Sequence, residues 1–171
     1  MAQSQLFTTV INTFDEAGWA FTTVEGREVI RAGFEAHHAR VELHLQVFDT
    51  LAAISVVSES PRGTASPPHR ERLAELAMRV NRTLTVGNFE IDWDEGRLAF
   101  RVTNLFPKPE GDISIIRGLV HTVVGEMDRI SPIEAIILQS QGAVLAGLDI
   151  RRLLEREDLL PDVSLPDAAN P

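Results

Sequence analysis

His37 and His38 stand side by side, His44 follows, and Glu35 and Glu42 flank them. Imidazole and carboxylate groups this close in sequence are the raw material of a metal site or an acid–base pair. Their spacing argues against both. Adjacent strand residues point to opposite faces, so His37 and His38 do not share an ion. His44 falls on the outer side of an alternating stretch. Only a hairpin that swings His38 and His44 towards Glu35 or Glu42 would assemble a site. His121 falls in a helical stretch and reads as a surface or partly buried residue. Asp92-Trp93-Asp94-Glu95-Gly96 opens like a calcium loop. However, Gly96 occupies the place of an oxygen ligand, and Thr103 the place of the closing glutamate. Turn chemistry accounts for the fragment without an ion. Ser55, Ser58 and Ser60 lack a matching His/Asp pattern. Neither a nucleophile elbow nor a phosphate-binding glycine loop occurs. The sequence therefore offers no catalytic residue, no metal ligand set and no cofactor motif, and the expectation is a protein that is not an enzyme.

Composition narrows the partners. The chain has 171 residues, no cysteine and a net charge of −9. The absence of cysteine removes disulfides, thiolate metal sites and cysteine nucleophiles together. Sixteen cations face 25 carboxylates, and Lys108 is the one lysine among them. Such a chain repels phosphate backbones and anionic lipid, so neither nucleic acid nor membrane is expected as a partner. The first residues lack the basic start and apolar core of a secretory leader, and the expected location is the cytoplasm.

These side chains must be placed by a mixed architecture. Leu6, Val10 and Phe14 recur at helical spacing, which predicts a helix over 4–17 stopped by Gly18. Strands are expected over 19–24, 29–35, 41–48 and 51–57. The third alternates Val41, Leu43, Leu45 and Val47 with polar residues. The fourth is apolar on both faces and reads as central. Prolines mark a loop over 59–68, after which Ser66 and Pro67 suit the start of a helix carrying Leu73, Leu76, Ala77 and Val80 inward. Phe89, Ile91 and Trp93 alternate with polar residues, as do Leu98, Phe100 and Val102. A two-residue turn at Glu95-Gly96 would oppose Trp93 to Leu98, Ile91 to Phe100 and Phe89 to Val102. A long helix begins at Asp112. Pro132 lies within its apolar pattern, so the helix either kinks there or ends and restarts, and Gly142 closes it. The expected fold class is α+β, an antiparallel sheet packed by helices in the order α-β-β-β-β-α-β-β-α-α. The domain occupies 1–142, an amphipathic helical extension 143–160, and a disordered tail 161–171.

Several segments resemble the YbjN-type family, whose members are also called candidate bacterial sensory-transduction regulators. The resemblance runs through Arg79-Val80-Asn81-Arg82-Thr83-Leu84, Gly87-Asn88-Phe89-Glu90-Ile91-Asp92 and the turn Asp94-Glu95-Gly96. It continues in Leu98-Ala99-Phe100-Arg101-Val102 and in the helix around Met127-Asp128-Arg129-Ile130-Ser131-Pro132-Ile133. The family's aromatic residue before the helix proline is absent, Ile130-Ser131 standing in its place. The resemblance implies a fold like that of small type III secretion chaperones, often dimeric and acidic. It carries no reaction and no site residues, because fold alone does not convey function.

The expected function is a non-enzymatic protein-binding module, chaperone-like or regulatory, acting as a homodimer. The alternative is a small-ligand sensor, or an enzyme built on His38, His44 and nearby glutamates. Candidate partner-binding residues are Phe48 and the apolar stripe Val144, Leu145, Leu148, Leu153 and Leu154. That stripe could equally complete the chain's own core or pack on a second copy.

Overall fold

The structure is a computed structural model that describes residues 3–63, 65–156 and 158–159. Helix α1, Gln5–Ala17, opens where the Ser4 hydroxyl accepts the Phe7 N–H. It closes at Gly18, whose φ of 68° lets the chain turn back so that Trp19 N–H reaches the Phe14 carbonyl. This is the left-handed helix ending that favours glycine. Strands β1 (Phe21–Thr23), β2 (Val29–Glu35), β3 (Arg40–Phe48) and β4 (Ala53–Glu59) follow. Next come α2 (Pro67–Asn81), β5 (Asn88–Asp92), β6 (Arg97–Leu105), α3 (Ile113–Gln139), α4 (Gly142–Ala146) and α5 (Ile150–Leu154).

The six strands form one antiparallel sheet in the order β1-β2-β3-β4-β6-β5. Leu43, Leu45, Ile54, Val56, Leu98, Phe100 and Val102 point from it into one core with Phe7, Val10 and Phe14 of α1 and Ile116, Val120, Val123 and Ile130 of α3. Burying an apolar side chain of this size contributes about 1.5–3 kcal/mol. The opposite face carries Arg31, Glu42, His44, Arg101 and Glu90. Ala53 and Val57 of β4 are buried on this face without joining the core, Ala53 between Phe48 and Leu105 and Val57 between His44 and Arg101 on the neighbouring strands. The strand is thus covered on both sides, as its sequence predicts, although helices pack on only one.

Three expectations need correction. The β5–β6 register sets Ile91 against Leu98 and Phe89 against Phe100, a slip of two residues from the expected pairing. The connection is a four-residue loop, with Asp92 Oδ1 accepting the N–H groups of Asp94 and Glu95 at 3.0 and 2.8 Å. Gly96 takes a φ of 69° there, and a side chain on it would meet the Ala65 carbonyl at 2.5 Å. The first strand is only Phe21–Thr23, because Trp19 turns into an aromatic cluster, its ring centroid 5.2 Å from Phe14 and 5.4 Å from Phe34. Helix α3 is capped by Ser140 and not by Gly142, which instead opens α4. Between its ends α3 runs through Pro132 unbroken. Proline lacks an N–H, so the Asp128 carbonyl has no helical donor. The tail over 161–171 lies outside the described residues.

Asn81 ends α2 and fixes β5. Its Oδ1 accepts the Phe89 N–H at 2.8 Å and its Nδ2 donates to the Phe89 carbonyl at 3.0 Å. The side-chain amide thereby occupies the place of a neighbouring strand on the outer edge of the sheet. That takes the outward N–H and C=O of Phe89 out of play for pairing with another chain.

Candidate functional site

The histidines do not converge. His44 sits on the sheet's outer face between Arg31 and Val57. Burial, the largest influence, pushes its pKa down, with Arg101 and Arg31 adding and Glu59 opposing. His38 lies on the helix side, where its backbone N–H and that of Ala39 donate to Asp128 Oδ1 at 2.6 and 2.9 Å. His121 is exposed beside Trp19, with ring centroids 5.3 Å apart. Among the described residues no three His, Asp or Glu side chains gather as a metal cage. Asp92 is engaged in its own turn.

The expected partner-binding residues separate into two sets. Leu145 is buried, as is Ile150 in the same segment. Leu148, Leu153 and Leu154 pack partly buried against the common core. Two side chains of α2 tie this segment down. The His69 ring spans from the Ser66 hydroxyl, 2.6 Å away, to the Ser140 carbonyl, 2.8 Å away. Arg72 donates to the Ala146 carbonyl. The cleft left between α2 and α4 measures about 830 Å³ and is bordered by His69, Arg72, Gln141 and Leu145. Val144 and Phe48 remain exposed. Phe48 shares its cross-sheet row with Ala53 and Leu105, so it belongs to a small apolar patch at one end of the outer face.

A second apolar surface was not evident in the sequence. Met78, on the outer side of α2, is 72% exposed, and Trp93, in the β5–β6 loop, is 56% exposed. Together with Ala74 they line a shallow groove of about 560 Å³ rimmed by Glu71, Glu75, Arg79 and Arg82. Arg70 fixes one wall by donating from Nη1 to the Trp93 carbonyl at 2.5 Å. The alternation of Phe89, Ile91 and Trp93 suggests an inward Trp93. The four-residue loop turns it out instead. Large apolar side chains held side by side in solvent are a recurrent mark of an interaction surface.

A polar cluster also escaped the sequence reading. Glu134 of α3 is only 4% exposed. Burial, the largest influence, raises its pKa, while the Ser60 hydroxyl and Arg62 partly offset it. Arg62 Nε lies 3.4 Å from Glu134 Oε2, and its Nη2 donates to Ser131 Oγ at 2.7 Å. The signal was present in the periodicity. Met127, Ile130, Ile133 and Ile137 define the inward stripe of α3, and Glu134 is four residues after one member and three before another.

No protein-family model and no curated protein matches this sequence. A solved structure does. The crystal structure of YbjN from E. coli, a candidate transcription regulator, aligns with a TM-score of 0.55 and 13% identity. The alignment covers 76% of this chain and 90% of that one. The likeness establishes the α+β fold, a six-stranded antiparallel sheet packed by helices, as YbjN-like. No helix among the described residues is long and apolar enough to cross a membrane.

Proposed function

We propose that this chain is a non-enzymatic protein-binding module of the bacterial cytoplasm, a regulatory or chaperone-like adaptor of the YbjN type that acts as a homodimer. The observation that carries the reading is the exposed pair Met78 and Trp93, fixed on a rigid helix and a pinned loop. Binding energy at protein interfaces concentrates in such aromatic anchors, bordered by polar residues that exclude water. The separation of His38 and His44 onto opposite sides of the sheet supports the non-enzymatic reading. The acidic balance of the chain supports a protein partner over nucleic acid or membrane.

The test compares the full chain with the double variant Met78→Ser/Trp93→Ser. Both residues are exposed, so the variant is expected to keep the wild-type urea midpoint. Capture from the native host with the wild type is expected to recover one stoichiometric protein, and the variant is expected to lose it. Sedimentation velocity on both proteins then separates a foreign partner from a second copy. Capture of the same protein by wild type and variant alike would remove this surface from the argument. Repeatedly empty captures, with a monomer in the centrifuge, would remove the function.

A further inference from the structure

The cluster around Glu134 borders a cleft of about 260 Å³ between the β2–β3 turn, the end of β4 and the middle of α3. One of its groups is buried and unpartnered among the described residues, and a second keeps an unused donor. His38 Nε2 is buried with no hydrogen-bond partner, and buried polar atoms in folded proteins are nearly always partnered. Arg62 uses Nη2 on Ser131 and turns Nε towards Glu134, which leaves Nη1 without a bond. Its side chain lines the cleft and is 34% exposed. Met127 and Val41, both buried, supply an apolar wall.

The charge balance selects the ligand. Arg40 at the rim is already held by Glu35 and Glu42, each at 2.5 Å. Arg62 meets one carboxylate, Glu134, at 3.4 Å, so more of its charge remains for a guest; Glu59, itself paired with Arg97, and Asp128 stand nearby. A doubly charged oxyanion would be repelled by these carboxylates more strongly than a singly charged one. The planar guanidinium fork matches a carboxylate. The burial that pushes Glu134 towards its neutral form further lowers the repulsion on a single negative charge. We propose that this cleft binds a short aliphatic monocarboxylate. Its carboxylate sits on the unused donor of Arg62 with His38 Nε2 as second contact, and its chain lies against Met127 and Val41. Glu134 and Ser131 act as positioning residues that hold Arg62 in place. The assignment is independent of the protein-binding surface on α2.

The experiment is an NMR titration of the full-length chain with sodium butyrate, reading the imidazole signals of its histidines. The probe is compared with n-butylammonium chloride and with inorganic phosphate at matched ionic strength. Butyrate is expected to shift the His38 ring signals saturably and to leave His121 unmoved. Arg62→Gln, which keeps a donor for Ser131 but loses the charge, is expected to weaken binding about tenfold or more. Arg62→Lys keeps the charge and loses the fork. It is expected to weaken binding as well, and serves should the glutamine variant fail to fold. Non-saturating shifts, or equal shifts at every histidine, would overturn the proposal. So would unchanged affinity in both Arg62 variants, or butylammonium or phosphate binding as tightly as butyrate.

Discussion

Replacing Asn81 by alanine removes both hydrogen bonds that hold the outer edge of β5, and the size of the effect follows from what each atom loses. The Phe89 N–H and C=O bond to Asn81 at 2.8 and 3.0 Å, and Phe89 itself is buried. A net hydrogen bond is worth about 0.5–1.5 kcal/mol, and a donor left buried without a partner costs about 1–3 kcal/mol. Alanine regains a few tenths, up to about 0.7 kcal/mol, through its better helix propensity. The expected loss is about 1–3 kcal/mol. In a domain of this length, each kcal/mol corresponds to a fall in Tm of about 2–4 °C. Urea denaturation followed by circular dichroism measures the loss, and amide exchange at Phe89 and Ile91 locates it. Asn81→Asp separates the two bonds. It keeps the acceptor for the Phe89 N–H but sets a carboxylate against the Phe89 carbonyl, so it should recover little of the loss. The bared edge should also make Asn81→Ala self-associate more readily than wild type at the same concentration. A stability within 0.5 kcal/mol of wild type, with unchanged exchange at Phe89, would refute the claim that this amide holds the strand.

Further outcomes follow from the C-terminal segment, the buried carboxylate and the loop. Ile150 is fully buried whereas Val144 is 65% exposed, so Ile150→Ala should cost about 2–5 kcal/mol and Val144→Ser less than about 0.5 kcal/mol. A protein-concentration dependence of the Ile150→Ala loss would instead make the segment an interface. Glu134 has its pKa raised by burial, so it favours folding fully below its unfolded value and loses that contribution as pH rises through its folded value. The stability of Glu134→Gln relative to wild type should therefore grow from pH 4 to pH 7 in urea titrations, and a constant difference would refute the assignment. Gly96→Ala combines a positive φ, costing about 1–2 kcal/mol, with a Cβ 2.5 Å from the Ala65 carbonyl. It should lower the thermal midpoint more than Gly26→Ala, where φ is 72° and no atom lies within 4 Å.

The features readable in the sequence were those set by local periodicity. The stripe of α1, the alternation in β3 and the doubly covered β4 each follow from which residues repeat at two or at three to four, and the structure places them so. The β5–β6 register was misread because a slip of two residues leaves every side chain on its proper face. Alternation fixes the face but is silent on the pairing. The decision rests with Asp92 accepting two turn N–H groups and with Gly96 adopting a positive φ against Ala65. Trp93 was turned outward by that same decision. Glu134 was overlooked because an apolar stripe draws attention to its hydrophobic members, while a polar residue in register with them signals a buried, partnered polar group.

Several residues in the segments on which the sequence reading based its YbjN resemblance carry architecture. Asn81 holds the edge of β5, Asp92 and Gly96 set the hairpin loop, and Asp128 anchors the turn at His38 and Ala39 from the helix that crosses the sheet. Each fixes a contact between elements distant in sequence, and together they specify how the sheet edge, the hairpin and the long helix meet. In this chain a few polar side chains bonded to backbone atoms constrain the arrangement, and the apolar positions need only keep volume and pattern. Met78, Trp93 and Arg62 hold none of these contacts between distant backbone segments, apart from the ties that Arg62 makes to Ser131 and Glu134. Met78 and Trp93 project into solvent, so replacing them removes no contact of the core. Function specific to this chain is therefore sought at the exposed Met78 and Trp93 and at the donor that Arg62 leaves unused, where a ligand or partner would impose what the fold does not.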